Sequence, residues 1–585
     1  MSFDMPTELT ALLLGLNSAL RNNLRPDTGL YDTFEQRPSP ADHYGHTAAA
    51  LALAAGLPED WEHGKRALKA WLALDTRSLG HEPFNRLMLL LMQLILSDQE
   101  RDRDRPLLEA GLKRCALRPR YPSNNWSLLA QTCRVIEAPA DRRPIETQRL
   151  CILLDRWTTT KGAFIDFPEN PGTGFSTPLA YHHKALFLAA LACWFHNDAG
   201  LAHRARRLLD WMVHCWDPAG YAGGFGRSTH SLFGDGCLVA ALILMGVEHD
   251  SEDDPIRAIC RRLVSQSRPD GFLWLNPAGP ESGNASWDGY MHLSVYNAWA
   301  AAIIGAARQM RRARPLPETL RGTRWIAARA GFFHDEEAGL IYLRSPDGLN
   351  ALVSTRGQPP QSFSRTEADF RYSGGAILHL RLADGPPLIP PPVRVARTRL
   401  METPALAGWT PLFRFGEEII ALDRFEGVQA DLDDGDFTLR LEGFASAVFR
   451  AAPSGFLQRL IAILDWRALG GRLGRRAALT RRTSTLLAGR MTLQMRESAG
   501  TIVIRRHLEI SGTGKPLTYL NPASRSRIAT AGIATAVNHD CDCLSSKLDA
   551  SLPQAYVCTQ PPCCAEDGEH LPALELHLSS PARSR

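Results

Sequence analysis

The chain has 585 residues, 44% of them hydrophobic and 22% charged, which is an ordinary globular mixture with room for two to four domains and not that of a disordered or fibrous chain. Its 66 Lys and Arg against 62 Asp and Glu leave a net charge of +4, too small to mark a nucleic-acid wrapper or a polybasic membrane binder. Any acidic ligand must therefore meet a local patch.

No run approaches the ~18 uninterrupted apolar residues of a membrane span. The opening MSFDMPTELTALLLGLNSALRNNL reads as an amphipathic helix rather than a secretory signal, so a cytoplasmic location is expected unless a signal has been removed. Up to about residue 312, apolar residues recur at helical spacing and predict helices over 6–24, 45–55, 61–74, 84–98, 105–116, 123–136, 145–158, 178–196, 200–216, 229–247, 254–267 and 290–311. Paired into about six hairpins, they predict an (α/α) toroid over residues 1–320. Within it Cys115, Cys133, Cys151, Cys193, Cys215, Cys237 and Cys260 lie singly in apolar patterns, the setting of reduced, buried thiols.

From about residue 325 the texture changes to short alternating segments such as GLIYLRS, FTLRLEGFASAVFRA and TIVIRRHLEI, which predict an antiparallel β-sandwich over 325–538. The Pro-rich run 383–398 is unsuited to a central strand and is expected to cross between sheets. Residues 539–585 carry Cys541, Cys543, Cys558, Cys563 and Cys564 with His570 and His577, at spacings that fit no paired-CxxC zinc site. They are expected to form a loose tail without metal. The fold class is thus α+β and multidomain, a helical toroid followed by a sandwich.

Four loop-to-helix junctions in the toroid hold the chemistry. In Tyr121-Pro-Ser-Asn-Asn-Trp126, one of Asn124 and Asn125 can cap the helix while the other faces a ligand. The Gly/Pro-rich 167–178 leads into Tyr181, His182, His183 and Lys184. Successive residues point about 100° apart, so one His is expected to be structural and the other, with Tyr181, to form a general-base site. Gly223-Gly-Phe-Gly-Arg-Ser-Thr-His230 presents Arg227 as a fork for an anion, or simply for loop carbonyls, with His230 beside it. In 271–300, Trp274, Asn276, Glu281, Asn284, Trp287, Asp288, Tyr290 and His292 surround a loop, whereas Tyr296 and Asn297 lie deeper. Most of the tryptophans suit a core, but Trp126, Trp274 and Trp287 sit in turns where a ring face can stack on a sugar. A toroid places equivalent loops on one rim, so these stretches predict a single cleft.

At these residues the chain resembles the toroid-plus-β-sandwich polysaccharide lyases, the chondroitin AC, hyaluronate and heparinase II/III-like group. That family carries Asn, often next to Trp, then His, Tyr and Arg in its helical half; Asn125 with Trp126, His182, Tyr181 or a later Tyr, and Arg227 match. In chondroitin-type members the Tyr follows the His by about two turns, whereas Tyr181 precedes His182, so Tyr181, Tyr290 and Tyr296 all remain candidates. The resemblance implies β-elimination on an acidic poly- or oligosaccharide, without cofactor, nucleic-acid or membrane partner. Asn125 and Arg227 would neutralise the uronate carboxylate, and a Tyr or His would take the C5 proton. Asn124, Trp126, His230, Trp274, Glu281, Trp287 and His292 would bind substrate.

Two other classes fit the same cleft. A glycoside hydrolase needs paired carboxyl groups, drawn from Asp166, Glu169, Asp235, Glu281 and Asp288, with Asp235 and Asp288 the pair to test. A non-catalytic carbohydrate binder would keep the aromatics alone. His43 and His46 stand at i, i+3 as metal ligands do, but without a third ligand a surface or capping role is expected. The cluster Arg365, Glu367, Asp369, Arg371 and Tyr372 is either a solvated strand face or a lip over the rim.

Overall fold

The structure is a computed structural model that describes residues 6–521 except 77–78, 122, 167–177, 227, 229, 250–252, 278–290, 327–329, 347, 358–364, 383–384, 386, 388–391, 393, 403, 434, 451–454, 469–472, 474–482, 499–500 and 513–516, together with 533–538, 563–565 and 570–579. Its helical half contains α1 (Thr7–Asn22), α2 (Gly45–Ala54), α3 (Asp60–Ala73), α4 (Glu82–Ile95), α5 (Asp98–Arg103), α6 (Arg105–Arg114), α7 (Asn124–Glu137), α8 (Arg143–Arg156), α9 (Leu179–His196), α10 (Ala199–His214), α11 (Leu232–Met245), α12 (Pro255–Val264) and α13 (Leu293–Ala313). Local chemistry sets many of their ends. Ser123, Asp198 and Asp254 accept first-turn amides, and prolines open α4, α6, α8 and α12.

Two kinds of apolar pattern sort these helices into layers. α9 is buried without interruption from Leu179 to Cys193, and α11 along its whole length, whereas α12 buries Ile256, Ile259, Cys260 and Leu263 and turns Arg257 and Arg261 outward. Helices apolar all round must be enclosed. Accordingly α2, α4, α7, α9, α11 and α13 touch one another in that order and α13 closes on α2. Outside them, α3 packs on α2, α6 on α4, α8 on α7, α10 on α9 and α12 on α11, while α1 bridges α12 and α13. The helical half is a closed double ring.

Beyond it the described residues form two main antiparallel sheets and a small two-stranded one. The smaller main sheet orders Ile377–Leu382, Leu349–Ser354, Leu340–Arg344 and Gly331–Asp335; the larger has ten strands centred on Asp436–Ala447, Thr483–Ser498 and Thr501–Gly512. Phe437, Leu439 and Leu441 face inward while Asp436, Arg440 and Glu442 face out. Ile341, Leu352 and Ile377 of one sheet share a core with Leu439, Met491 and Ile504 of the other, and Trp211 and Phe225 of the helical half join it. The sheets are therefore sandwiched together and set against the ring.

Three details depart from expectation. Residues 539–585 are not wholly a tail: Cys563–Ala565 and His570–Ser579 are strands of the large sheet, the latter pairing with Thr501–Gly512. Past the prolines, Arg394–Ala396 pairs with Glu367–Asp369 in a sheet of two strands. A helix, Phe456–Ala468, stands between two long strands that pair with each other, inside a stretch read as continuous β.

Candidate functional site at the rim of the helical ring

The segments that start the inner helices meet at one rim. His43, just before α2, has its ring centroid 4.4 Å from that of His81, just before α4, and 4.6 Å from that of His292, the N-cap of α13. Trp126, in the first turn of α7, lies 4.8 Å from His81, and Tyr44 stacks on Phe84 at 4.5 Å. Beneath them, Phe84, Phe233, Tyr296 and Trp299 form a continuous buried aromatic cluster.

Each of the three imidazoles is held through the same nitrogen. His43 Nδ1 is 2.9 Å from Asp42 Oδ1, His81 Nδ1 is 2.6 Å from the Asp42 carbonyl, and His292 Nδ1 is 2.5 Å from Glu35 Oε1. A carbonyl or carboxylate can only accept, so in each ring Nδ1 carries a proton. Among the described residues no hydrogen bond engages these Nε2 atoms. Burial, helped by His43, pushes His81 from 6.5 down to about 4. Burial also lowers His43, against the pull of Asp42. Burial would raise Glu35, but hydrogen bonds from His292 and Arg37 outweigh it and hold the carboxyl below its ordinary range. His81 is strained as well, at φ 51°.

The Asn pair is deployed differently from expectation. Asn124 donates to the Ile165 carbonyl at 2.8 Å. Asn125 donates through Nδ2 to Asp166 Oδ1 at 2.6 Å and to Ser123 Oγ at 3.0 Å, while its Oδ1 accepts from Lys184 Nζ at 2.7 Å. Both asparagines are buried. Neither of them is the cap, which is Ser123. The fully buried Lys184 lies 4.2 Å over the Phe84 ring, and burial pushes it from 10.5 down to about 7 against the attraction of Asp166. Asn125 is thus the middle of a Lys–Asn–Asp chain below the rim.

His182 is not placed as a base. It is 0% exposed, its Nδ1 accepts from the Phe164 amide at 3.1 Å, and its Nε2 donates to the Leu208 carbonyl at 3.0 Å. With both nitrogens spent on backbone it splices α9 to α10 and cannot reach a substrate. His183 is buried too, and burial drives it down to about 3. Tyr181 is also buried, its ring 6.4 Å from that of Phe233.

His230 belongs to a second cluster, where the ring meets the sandwich. It is backed by Tyr221 and His379, each 5.1 Å away, and both ring nitrogens are shut off from solvent although part of the residue is accessible. Nearby, Asp217 accepts from His379 Nε2 at 2.7 Å and from Arg381 Nε at 2.7 Å; these bonds overcome burial and hold its carboxyl well below the carboxylate range. Asp235 pairs with Arg262 at 2.6 Å, but burial prevails and raises its carboxyl. The loop carrying Gly223 and Gly226 bends through φ 79° and 76°; a Cβ on Gly223 would lie 2.1 Å from Leu179. Gly226 donates to the Arg371 carbonyl at 3.2 Å, and Tyr372 meets Phe225. That part of the polar cluster 365–372 is therefore folded onto the rim loop rather than solvated.

Arg227, Glu281, Asn284, Trp287, Asp288 and Tyr290 lie outside the described residues, as does Glu169. Trp274 is half-buried with Arg268 4.0 Å over its ring. His46 does not share a ligand with His43: it is buried, with Nε2 3.3 Å from the Thr28 carbonyl. Among the described residues no three His, Cys, Asp or Glu are arranged to hold a metal. Glu35, Asp42, His81 and Lys184 were not selected from sequence as site residues. The loop-to-helix rule that picked out the starts of α7, α9, α11 and α13 reaches His43 and His81 once it is extended to α2 and α4.

No family model matches the chain, and no curated protein sequence matches it. Among solved structures, a polysaccharide lyase is 13% identical, covering 53% of this chain and 98% of its own, at a TM-score of 0.35. The GH76A α-1,6-mannanase of Salegentibacter sp. is 11% identical over 52% of this chain and 99% of its own, at 0.38. A type II terpene cyclase from Scytonema is 15% identical over 52% and 97%, at 0.34. Likenesses this distant transfer no activity; the closed ring stands on its own helix contacts.

Proposed function

We propose that the chain is a carbohydrate-processing enzyme whose substrate lies across the rim of the helical ring, and that it cleaves a uronate-containing poly- or oligosaccharide by β-elimination. The observation that carries this reading is the set of three Nδ1-anchored imidazoles beside Trp126. A sugar ring stacks on an indole face, and a free imidazole Nε2 is the atom that removes a proton α to a carboxylate. His292 is the base in this reading. The Glu35 carboxylate fixes its tautomer and stabilises the imidazolium that forms when Nε2 takes the C5 proton. His43 and His81, held neutral by burial, orient the substrate, and Tyr44 or Tyr181 returns a proton to the departing glycosidic oxygen. Arg227 and Tyr290 keep the carboxylate-binding and proton-transfer roles that the family resemblance implies. The chemistry calls for no metal or organic cofactor.

The test is to follow near-ultraviolet absorbance of purified protein with a panel of uronate polysaccharides and their oligomers. The expected result is a rise from the unsaturated uronate, reduced by about 10²-fold or more in His292→Ala. New reducing ends without that absorbance overturn elimination in favour of hydrolysis, for which Asp235 and Asp288 become the residues to substitute. Substrate binding with no turnover of either kind overturns the enzyme reading itself.

A further inference from the structure

Lys184 is a cation placed where packing calls for none. It lies on α9, whose residues from Leu179 to Cys193 are all buried, and is itself 0% exposed. An unbranched apolar side chain such as Met would fill a similar volume without the cost of stripping an ammonium of water. Among the described residues no carboxylate forms an ion pair with it. Its hydrogen bond goes to Asn125 Oδ1 at 2.7 Å, and Asp166 is reached through Asn125 Nδ2 at 2.6 Å.

Both contacts of the ammonium lead to the rim. Asn125 directly precedes Trp126, and its backbone amide also donates to Asp166 Oδ1, at 2.8 Å, so the first turn of α7 is held through this residue. On the other side Lys184 Nζ lies 4.2 Å over the Phe84 ring. That ring stacks on Tyr44 at 4.5 Å and meets His81 at 5.5 Å and Trp126 at 5.8 Å. One cation thus ties the helix start that carries Trp126 to the ring that backs Tyr44 and His81. Both ties depend on the charge. A charge-assisted hydrogen bond is about twice as strong as a neutral one, and the attraction to the ring face exists only while the amine is protonated. We propose that Lys184 is a positioning residue of the rim site: its positive charge holds Trp126, Phe84 and His81 in the arrangement that receives substrate, and losing the proton loosens that arrangement. The groups facing it leave it as the switch. Asp166 favours the charge, while burial brings Lys184 from 10.5 down to about 7. Cys133 on α7 and Cys237 on α11 are thiols that burial pushes up, the latter to about 12, and His81 titrates near 4. His182 and His183 beside it on α9 are lowered to about 4 and about 3. These thiols and imidazoles all stay neutral around pH 7, where the amine changes charge.

The inference rests on the rim being the substrate site, and its test separates the two. With the full chain and the uronate oligosaccharide of the panel that is turned over fastest, KM and kcat are measured separately from about pH 6 to about pH 8.5. The expected result is a KM that rises about three- to tenfold as pH passes about 7, without a matching change in kcat. Lys184→Met should keep the high-pH KM of the parent at every pH. A lysine that only filled space would leave the pH dependence of KM in place when replaced. A KM that is flat in the parent overturns the proposal without requiring any variant to fold, as does the same rise persisting in Lys184→Met. If no oligosaccharide is turned over, the reaction reading fails alone, and Lys184 is read from the ring-carbon resonance of His81 in 13C-histidine-labelled protein, assigned with His81→Gln. A displacement of that resonance centred near pH 7, apart from the ring's own titration near 4 and missing in Lys184→Met, upholds the coupling. A resonance that stays in place through pH 7 overturns it.

Discussion

Two sets of polar groups, the partners of Asp217 and the three rim histidines, differ in how much bonding capacity the protein leaves unused. At the junction of ring and sandwich, Asp217 receives His379 and Arg381 together, and Arg381 reaches the same carboxylate through two of its nitrogens. At the rim, His43, His81 and His292 are each held on Nδ1, and no described group engages Nε2. A carboxylate saturated in this way can only hold the fold. A set anchored on one side is oriented by the protein and still has an atom to offer a ligand.

Substitution at the two clusters should separate these roles. His292→Ala is expected to reduce turnover by about 10²–10⁴-fold, with a stability change of about 1–2 kcal/mol as the Glu35 bond and the contact with the His43 ring are lost. Asp217→Ala should do the reverse. It strands a buried guanidinium and imidazole and is expected to cost about 3–5 kcal/mol in urea unfolding, with the residual folded protein turning over substrate normally. If His292→Ala unfolds the chain while Asp217→Ala spares it, the assignment of site and scaffold is inverted.

The same contrast explains what could be read from sequence. Periodicity locates α1 to α4 and α6 to α13 to within three residues at each end, because helices with apolar stripes or wholly apolar faces leave a local record. The short α5 was passed over. That the ring closes, and that His43, His81 and His292 meet across it, is a long-range fact without a local trace. His182 misled for a related reason. A histidine at the head of an apolar helix looks the same in sequence whether it faces a cleft or, as here, a carbonyl of the neighbouring helix. Asn125 beside Trp126 pointed to the right helix start, yet its partners Asp166 and Lys184 come from separate segments. The apolar pattern of 456–468 is helical, but it was submerged in a region whose flanks alternate as strands.

Acid should act on the buried scaffold histidines. Burial pushes His182 from 6.5 to about 4 and His183 to about 3. Between those values and 6.5 the unfolded chain binds protons that the folded chain refuses, so stability falls as pH drops through that window, by up to about 1.4 kcal/mol per pH unit for each such group. His182→Gln is expected to cost about 1–3 kcal/mol at pH 7, and its gap to the parent should narrow at pH 5, where the parent has begun to lose its advantage. A gap that stays constant with pH would mean His182 is not neutral in the fold.

A last contrast separates two tryptophans. Trp211 is 2% exposed and donates Nε1 to Asp335 Oδ2 at 2.8 Å, holding the ring of helices to the sandwich; replacing it with Ala should cost about 3–5 kcal/mol of stability. Trp126 is half-buried at the mouth, edge-on to Phe84 and against His81 and Tyr121. Trp126→Ala should weaken substrate binding about tenfold, seen in KM rather than kcat, and shift the unfolding midpoint far less than Trp211→Ala. Substrate affinity unchanged in Trp126→Ala would remove the indole from the cleft and leave the rim histidines without their sugar platform.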